Sequence, residues 1–287
     1  MNLAEFRQKY PSAVFTTGSG KPFTYRYYRN PRAKATLLLL TGGIGLSDLF
    51  FLHFDRFARD FSVLTFDYQI PFADNGELAD AAAELLRALG ERVWLVGQSL
   101  GGVVAQVIAA RHPEVTAGLI LSNTCSLSAE MSGEGRGDLM RMLGEQRKFK
   151  KLLAVLPFPL IKRLMKRTVM KTKTAGFTPQ ESAVMEELCD AMVELLTKPY
   201  ELHMADLLLD AANYFVLRRE DFARWDGRVL LLLSEDDHTF TPACKEDLIA
   251  LMPHPTVVTN LTGGHLALLV RLEQYAALVT DFILSRV

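Results

Sequence analysis

Short apolar runs alternate with longer stretches of helical period along most of this chain. The runs are "ATLLLL" at 35–40, "SVLTFDY" at 62–68, "RVWLVG" at 92–97, "AGLILSN" at 117–123, "RVLLLLS" at 228–234 and "TVVTNL" at 256–261. None shows polar alternation, the mark of strands buried on both faces, and the helical stretches between them supply the crossovers that parallel pairing requires. Helices are expected at 76–89, 100–112, 242–252 and 266–285. Upstream, "AVFTT" and "FTYRYY" flank "GSGKP" and predict a hairpin. "GSGK" is read as its turn, since the spacing of a phosphate loop is missing and Pro22 stands where that loop needs a hydroxyl. The fold class is α/β, a mostly parallel sheet with helices on both faces.

The rhythm stops between about 126 and 225, where the period is helical and no strand candidate occurs. The sheet must resume at 228, so the pattern predicts a core of 1–125 and 226–287 with 126–225 inserted as a helical cap. In "PLIKRLMKRTVM" one helix face carries Leu160, Ile161, Leu164, Met165, Thr168 and Val169, and the other Lys162, Arg163, Lys166 and Arg167. Apolar residues of this insert, such as Leu152, Leu153, Val155, Phe158 and Met192, are candidates for an acyl pocket or for packing the cap onto the sheet.

Composition narrows the partners. The chain has 287 residues, 49% hydrophobic, enough for a full core, and its formal net charge of -1 gives no global attraction to nucleic acid. The start "MNLAEFRQKYPS" lacks an apolar leader and no run reaches membrane-spanning length, so a cytoplasmic location is expected. Cys125, Cys189 and Cys244 are odd in number and widely spaced, which predicts small buried side chains and neither disulfides nor a metal site. One local asymmetry stands out: from Arg141 to Lys173 there are eleven basic residues (Arg141, Arg147, Lys148, Lys150, Lys151, Lys162, Arg163, Lys166, Arg167, Lys171, Lys173) against Glu145. They form either a solvated helix face or a surface for anionic membrane or an acidic partner.

The chemistry concentrates at "VGQSLGG", residues 96–102, a G-x-S-x-G between a buried strand and a helix. This context is that of a nucleophile elbow. A strained turn thrusts Ser99 outward, residues 97 and 101 come too close for side chains, and the next helix aims its N–H groups at developing negative charge. A serine needs a base, and the base an orienting acid. Among six histidines, His265 in "LTGGHLA" follows the last strand, which puts it at the sheet edge shared with Ser99. The acid is expected from "LLLLSEDDHTFTP", with Asp237 preferred and Asp236 as the fallback; the strand end at Asn123, Thr124 and Cys125 offers no carboxylate. The glycine loop "LLLLTGGIG" lets backbone approach a ligand, so Gly43 and Leu100 are the expected oxyanion-hole donors.

"LTGGIG", "GQSLGG", "SEDD" and "GGHLA" occur in the order found in the α/β-hydrolase fold superfamily, and the chain resembles its serine-nucleophile members from about residue 12 to the end. The resemblance implies Ser99 as nucleophile, His265 as base, Asp237 as acid and no cofactor. Thr41 departs from the histidine that many members carry there, which alters loop packing but not the backbone donor. A narrower likeness, in "LTGGIGLSDLFFLHFDRFARDFSVLTFDYQIP" and "LILSNTCSLSA", is to the maspardin-like subgroup, which implies a binding or adaptor role as an alternative. The expected function is hydrolysis of a carboxylic ester or similar small-molecule acyl substrate; a thioesterase, lactonase, C–C bond hydrolase or acyltransferase would use the same residues.

Overall fold

The hairpin closes between β1 (Ser12–Thr16) and β2 (Pro22–Tyr28) and forms one edge of an eight-stranded sheet. This computed structural model describes residues 1–172 and 177–287, with backbone only at 171, 172, 180, 181 and 184; the Lys171 side chain and Lys173 of the basic series lie outside the described residues. The remaining strands are β3 (Thr36–Leu40), β4 (Ser62–Phe66), β5 (Val93–Gln98), β6 (Thr116–Ser122), β7 (Val229–Leu232) and β8 (Thr256–Val258). Their order is β1-β2-β4-β3-β5-β6-β7-β8, antiparallel at β2 and parallel from β4 to β8.

The helices are α1 (Leu3–Lys9), α2 (Phe51–Phe57), α3 (Asn75–Leu89), α4 (Leu100–Arg111), α5 (Gly133–Val155), α6 (Phe158–Thr172), α7 (Pro179–Leu195), α8 (Lys198–Asp210), α9 (Pro242–Leu251), α10 (Ala267–Val270) and α11 (Leu272–Leu284). Successive strand residues point to opposite faces, so Leu38 and Leu40 pack with α3, α4 and α9, while Leu37 and Leu39 pack with α2 and α11. Both faces are dry, which is why the strands read as unbroken apolar runs.

Two expectations on the elements need correcting, and one element is additional. The helix expected at 266–285 is interrupted: a 3-10 turn at Gly264–Leu266 and the short α10 precede α11, and Arg271, at φ -114 and ψ 40, breaks the helical path between them. The turn lets Gly263 and Gly264 take positive φ and sets His265 at the sheet edge rather than inside a straight helix. The last strand stops at Val258, short of the 256–261 run. The α1 helix, closed by reciprocal bonds between Asn2 and Glu5, follows no apolar run and was not foreseen.

Between β6 and β7 the chain forms α5 to α8, and an isolated bridge between Ser128 and Leu217 is the strand-like pairing there among the described residues. α5 packs on α8 and α9, whereas α6 packs on α7. Among the described residues α7 is the main neighbour of α6, and the covered stripe of α6 is narrow: Ile161 is fully buried, Met165 and Val169 follow it at four-residue spacing, and Leu160, Leu164 and Thr168 are exposed instead of sharing that face. Among the described residues, no helix is long and apolar enough to cross a membrane.

Candidate active site

β5 ends at Gln98, α4 begins at Leu100, and the joint between them is a single residue, Ser99, at φ 54 and ψ -119. A non-glycine residue there carries on the order of 1–3 kcal/mol of backbone strain, held by its surroundings. The Thr124 hydroxyl donates to the Ser99 carbonyl at 2.6 Å, and the Ser99 N–H donates to the Ser122 carbonyl at 3.1 Å. The glycines serve the close approach expected of them. A methyl group on Gly97 would overlap the Gly101 carbonyl, with the Gly102 nitrogen 2.7 Å away, and one on Gly101 would overlap the Leu40 carbonyl, with the Thr41 oxygen at 2.6 Å. Leu100 is the first residue of α4, so its N–H has no carbonyl one turn back to bond.

Strand ends on either side complete the site. Asp237, after β7, is buried, and its Oδ2 lies 3.1 Å from His265 Nδ1. Burial alone would raise the Asp237 carboxyl, but the hydrogen bond and charge of His265, together with the Thr239 N–H at 2.7 Å, hold it below the usual value. Asp236, the fallback, accepts from the Gly263 N–H at 2.8 Å and so ties down the backbone that carries His265 rather than its ring. Gly42 and Gly43, in the loop after β3, line the same cavity as Ser99 and His265. Thr41 is buried and its carbonyl accepts from the Tyr68 hydroxyl at 2.6 Å, which fixes this loop from below.

Two residues that sequence reasoning did not select organise these parts. Asn123, at φ 40, donates to the Gly264 carbonyl at 3.0 Å and to the Ser234 hydroxyl at 3.2 Å, and its Oδ1 accepts from the Ser234 N–H at 2.9 Å. The strand end that offers no carboxylate therefore fastens the loops carrying Asp237 and His265 to each other. Gln98 Nε2 donates to the His265 carbonyl at 3.2 Å and also lies 3.3 Å from His265 Nε2. A carbonyl accepts only from the NH₂ end of an amide, so the Gln98 orientation is fixed, and the ring nitrogen facing that NH₂ must be an acceptor. The neutral ring then carries its proton on Nδ1, toward Asp237, and its Nε2 lone pair points at the Gln98 NH₂. A signal for Asn123 existed in its place between a strand end and the next turn; Gln98 is indistinguishable in sequence from any polar residue before an elbow.

The cavity has a volume of about 420 Å³, within the usual range for small-molecule sites. Its wall is mostly Leu, Val and Met, including Met142, Met165, Met185 and Met192, with Gln146, Lys166 and Glu201 among its polar residues. Of the five apolar insert residues proposed for an acyl pocket, Met192 lines it. Leu152 and Val155 are exposed, Leu153 is fully buried away from the cavity wall, and Phe158 packs on the Leu46, Met192 and Leu196 cluster. The reason is helical phase: α5 lines the cavity through Met142, Leu143 and Gln146, and in its last turn Leu153 is buried while Leu152 and Val155 face outward. Cys125 and Cys244 are buried free thiols, whereas Cys189 is half-buried and contributes to the cavity wall.

The other five histidines do not line the cavity. His53 is buried, accordingly pushed down to about 4, and contacts the Leu268 carbonyl at 3.1 Å. His112 pairs with Asp80 and His254 with Asp226; His203 is buried in α8 and His238 is exposed.

A profile of the alpha/beta hydrolase family matches residues 37–279 of this chain. A protein named "Putative carbamate hydrolase RutD" from Agrobacterium fabrum is 30% identical over 112 residues, covering 35% of this chain and 43% of that protein. One of the same name from Serratia proteamaculans is 21% identical over 265 residues, covering 88% of this chain and 92% of that one. A hydrolase from Pseudomonas aeruginosa PA01 of known crystal structure superposes with a TM-score of 0.71 at 19% identity, over 95% of this chain and 98% of its own.

Proposed function

The chain belongs to the alpha/beta hydrolase family, and from that premise we propose that it is a serine hydrolase that cleaves a carboxylic ester or related acyl bond through an acyl-enzyme on Ser99. The observation that carries this reading is the strained apex serine sharing one cavity with a histidine whose far ring nitrogen is held by a buried aspartate. In this reading His265 Nε2 takes the Ser99 proton as the hydroxyl attacks the acyl carbon. The oxyanion is held by the N–H groups of Leu100 and Gly43, and His265 returns the proton to the leaving oxygen. Water, activated by the same ring, then releases the acid and regenerates the serine. Asp237 keeps the ring in the required tautomer and stabilises the imidazolium. Residues 126–225 act as the cap that shapes the acyl pocket over a core of 1–125 and 226–287.

A fluorophosphonate probe tests this directly. We expect labelling of the wild-type protein, mapped to the peptide containing Ser99; purified, folded protein that refuses the probe would favour the adaptor role. A panel of activated esters of increasing chain length, with a thioester, a lactone and a carbamate beside them, identifies the acyl class. Gln98 adds a finer check. Gln98→Leu removes both hydrogen bonds to His265, and loss of about one net hydrogen bond predicts a fall in kcat of roughly tenfold with KM little changed. A rise in KM at constant kcat would mean that Gln98 contacts substrate instead.

Part of the basic surface supports a second, separate proposal. Leu152, Val155, Leu160 and Leu164 are exposed among Lys151, Arg163 and Arg167, an arrangement suited to an anionic lipid surface. The basic series is not wholly free, since Arg141, Lys148, Lys150 and Lys166 are engaged by acidic side chains. Co-sedimentation with anionic vesicles at low salt, lost at high salt and absent with neutral vesicles, is the expected result; no retention on anionic vesicles would remove the membrane proposal.

A further inference from the structure

Glu201 is a buried carboxylate with no part in the chemistry above. It sits in the first turn of α8, is 5% exposed, and lines the cavity that holds Ser99 and His265. Its Oε1 is fully buried, and among the described residues it has no hydrogen-bond partner. Leaving such an oxygen unpaired is costly, so native proteins rarely do it without a use.

The neighbouring lysines do not supply the missing partner. Lys166, which also lines the cavity, is held by Glu186 and Asp190 of α7. Lys162 of α6, the cation that acts on Glu201 from a distance, donates to the Glu194 carbonyl at 3.2 Å. Lys150 of α5 is engaged by Asp206. Three cations from neighbouring helices are thus tied elsewhere, and Glu201 lines a cavity whose wall is mostly apolar.

Resting on the hydrolase reading, we propose that Glu201 is a specificity-determining residue that selects acyl substrates bearing a hydrogen-bond donor, a hydroxyl or an amine, on an otherwise apolar chain. The Glu201 carboxyl accepts that donor, while the surrounding Leu and Met side chains take the hydrocarbon. A wholly aliphatic chain would leave the oxygen as it is in the empty cavity.

Burial adds a consequence that can be read without turnover. It pushes the Glu201 carboxyl from 4.5 up to about 7, against the lowering effect of Lys162. The other charged or titratable groups around it are Lys198, Tyr200 and His203 on its own helix, with Lys198 bonded to the Ala154 and Leu156 carbonyls, and Lys166 with Glu186 and Asp190, Cys189 and His265 around the shared cavity. A raised acid binds protons in the folded state that the unfolded chain has already released, so the wild type loses stability as pH rises from about 4.5 to 7. Glu201→Gln lacks that loss, and its melting temperature should gain on the wild type across this window and stay ahead above it.

The specificity test compares esters of equal length ending in hydroxyl, amine or methyl, for wild type, Glu201→Gln and Glu201→Leu. We expect kcat/KM for the hydroxyl or amine ester to exceed that for the methyl ester by about tenfold in the wild type. The ratio should fall by about that factor in Glu201→Leu and by less in Glu201→Gln, mainly through KM. Equal ratios in wild type and Glu201→Leu would overturn the proposal. If the wild type cleaves none of the esters, the hydrolase reading fails on its own, and calorimetry with 1,8-octanediol and 1-octanol decides the subsite. Tighter binding of the diol that Glu201→Leu abolishes would support it, and equal binding of both alcohols would overturn it.

Discussion

Ser99→Ala is expected to lower kcat on an activated ester by about 10⁴-fold or more, with KM changed only a few-fold, and to abolish labelling by a fluorophosphonate. The size follows from what the hydroxyl does in the proposed reaction. It forms the covalent bond to the acyl carbon, so without it the site retains only binding and oxyanion stabilisation, which in serine hydrolases amount to a residual 10³–10⁴ over water. Alanine at this position keeps the cavity and removes a single oxygen. The backbone at φ 54 is as costly for alanine as for serine, so stability should shift little. Circular dichroism and a melting curve beside the kinetics separate a dead site from an unfolded one. Turnover within tenfold of wild type would exclude the acyl-enzyme.

Gly101→Ala should be the more damaging change to the fold. A methyl group at 101 would overlap the Leu40 carbonyl and come 2.6 Å from the Thr41 oxygen, and both are backbone atoms of the neighbouring strand and loop. Neither can rotate away as a side chain would, so α4 must move off β3. Overpacking of a well-packed interior costs typically 1–3 kcal/mol, and a clash with immobile backbone belongs at or above the top of that range. For a chain of this size each kcal/mol is worth roughly 2–4 °C of melting temperature, so a loss of about 10 °C is expected, with activity falling as the Leu100 N–H and Ser99 shift. Gly137→Ala is the control: it lies in α5 with no atom near the added methyl group, and alanine is preferred over glycine by about 1 kcal/mol in a helix. A Gly101→Ala protein as stable as wild type would mean that α4 is not held against β3 as described.

The parts of this molecule that were legible in its sequence are those where local chemistry and tertiary role coincide. Each parallel strand is buried on both faces, so its apolar run names it without knowledge of its neighbours, and the elbow glycines declare a close approach that only glycine permits. His265 and Asp237 were selected as residues at strand ends, and the structure sets them 3.1 Å apart. What stayed hidden depends on which residues face each other across long sequence separations. The amphipathic pattern of α6 shows an apolar side broader than the stripe α7 covers, so Leu160 and Leu164 were assigned to a face that the fold leaves open. Asn123 is marked only by its place at a strand end, and Gln98 and Glu201 carry no distinguishing pattern of their own. Each matters because of a carbonyl, a ring nitrogen or a cavity contributed from more than a hundred residues away, or, for Glu201, because a partner is missing.

The insertion of α5 to α8 between β6 and β7 also bears on the biosynthesis of the protein. Leu119 of β6 pairs in register with Val229 of β7, so a nascent chain that has emerged only to residue 225 displays an apolar strand edge with nothing to zip against. It also carries its serine long before the ribosome has delivered the aspartate and the imidazole. Its bare edge invites association with other chains, the characteristic hazard of slow, long-range strand pairing. Residues 226–287 therefore seal the sheet and, in the proposed reaction, complete the site in the same step.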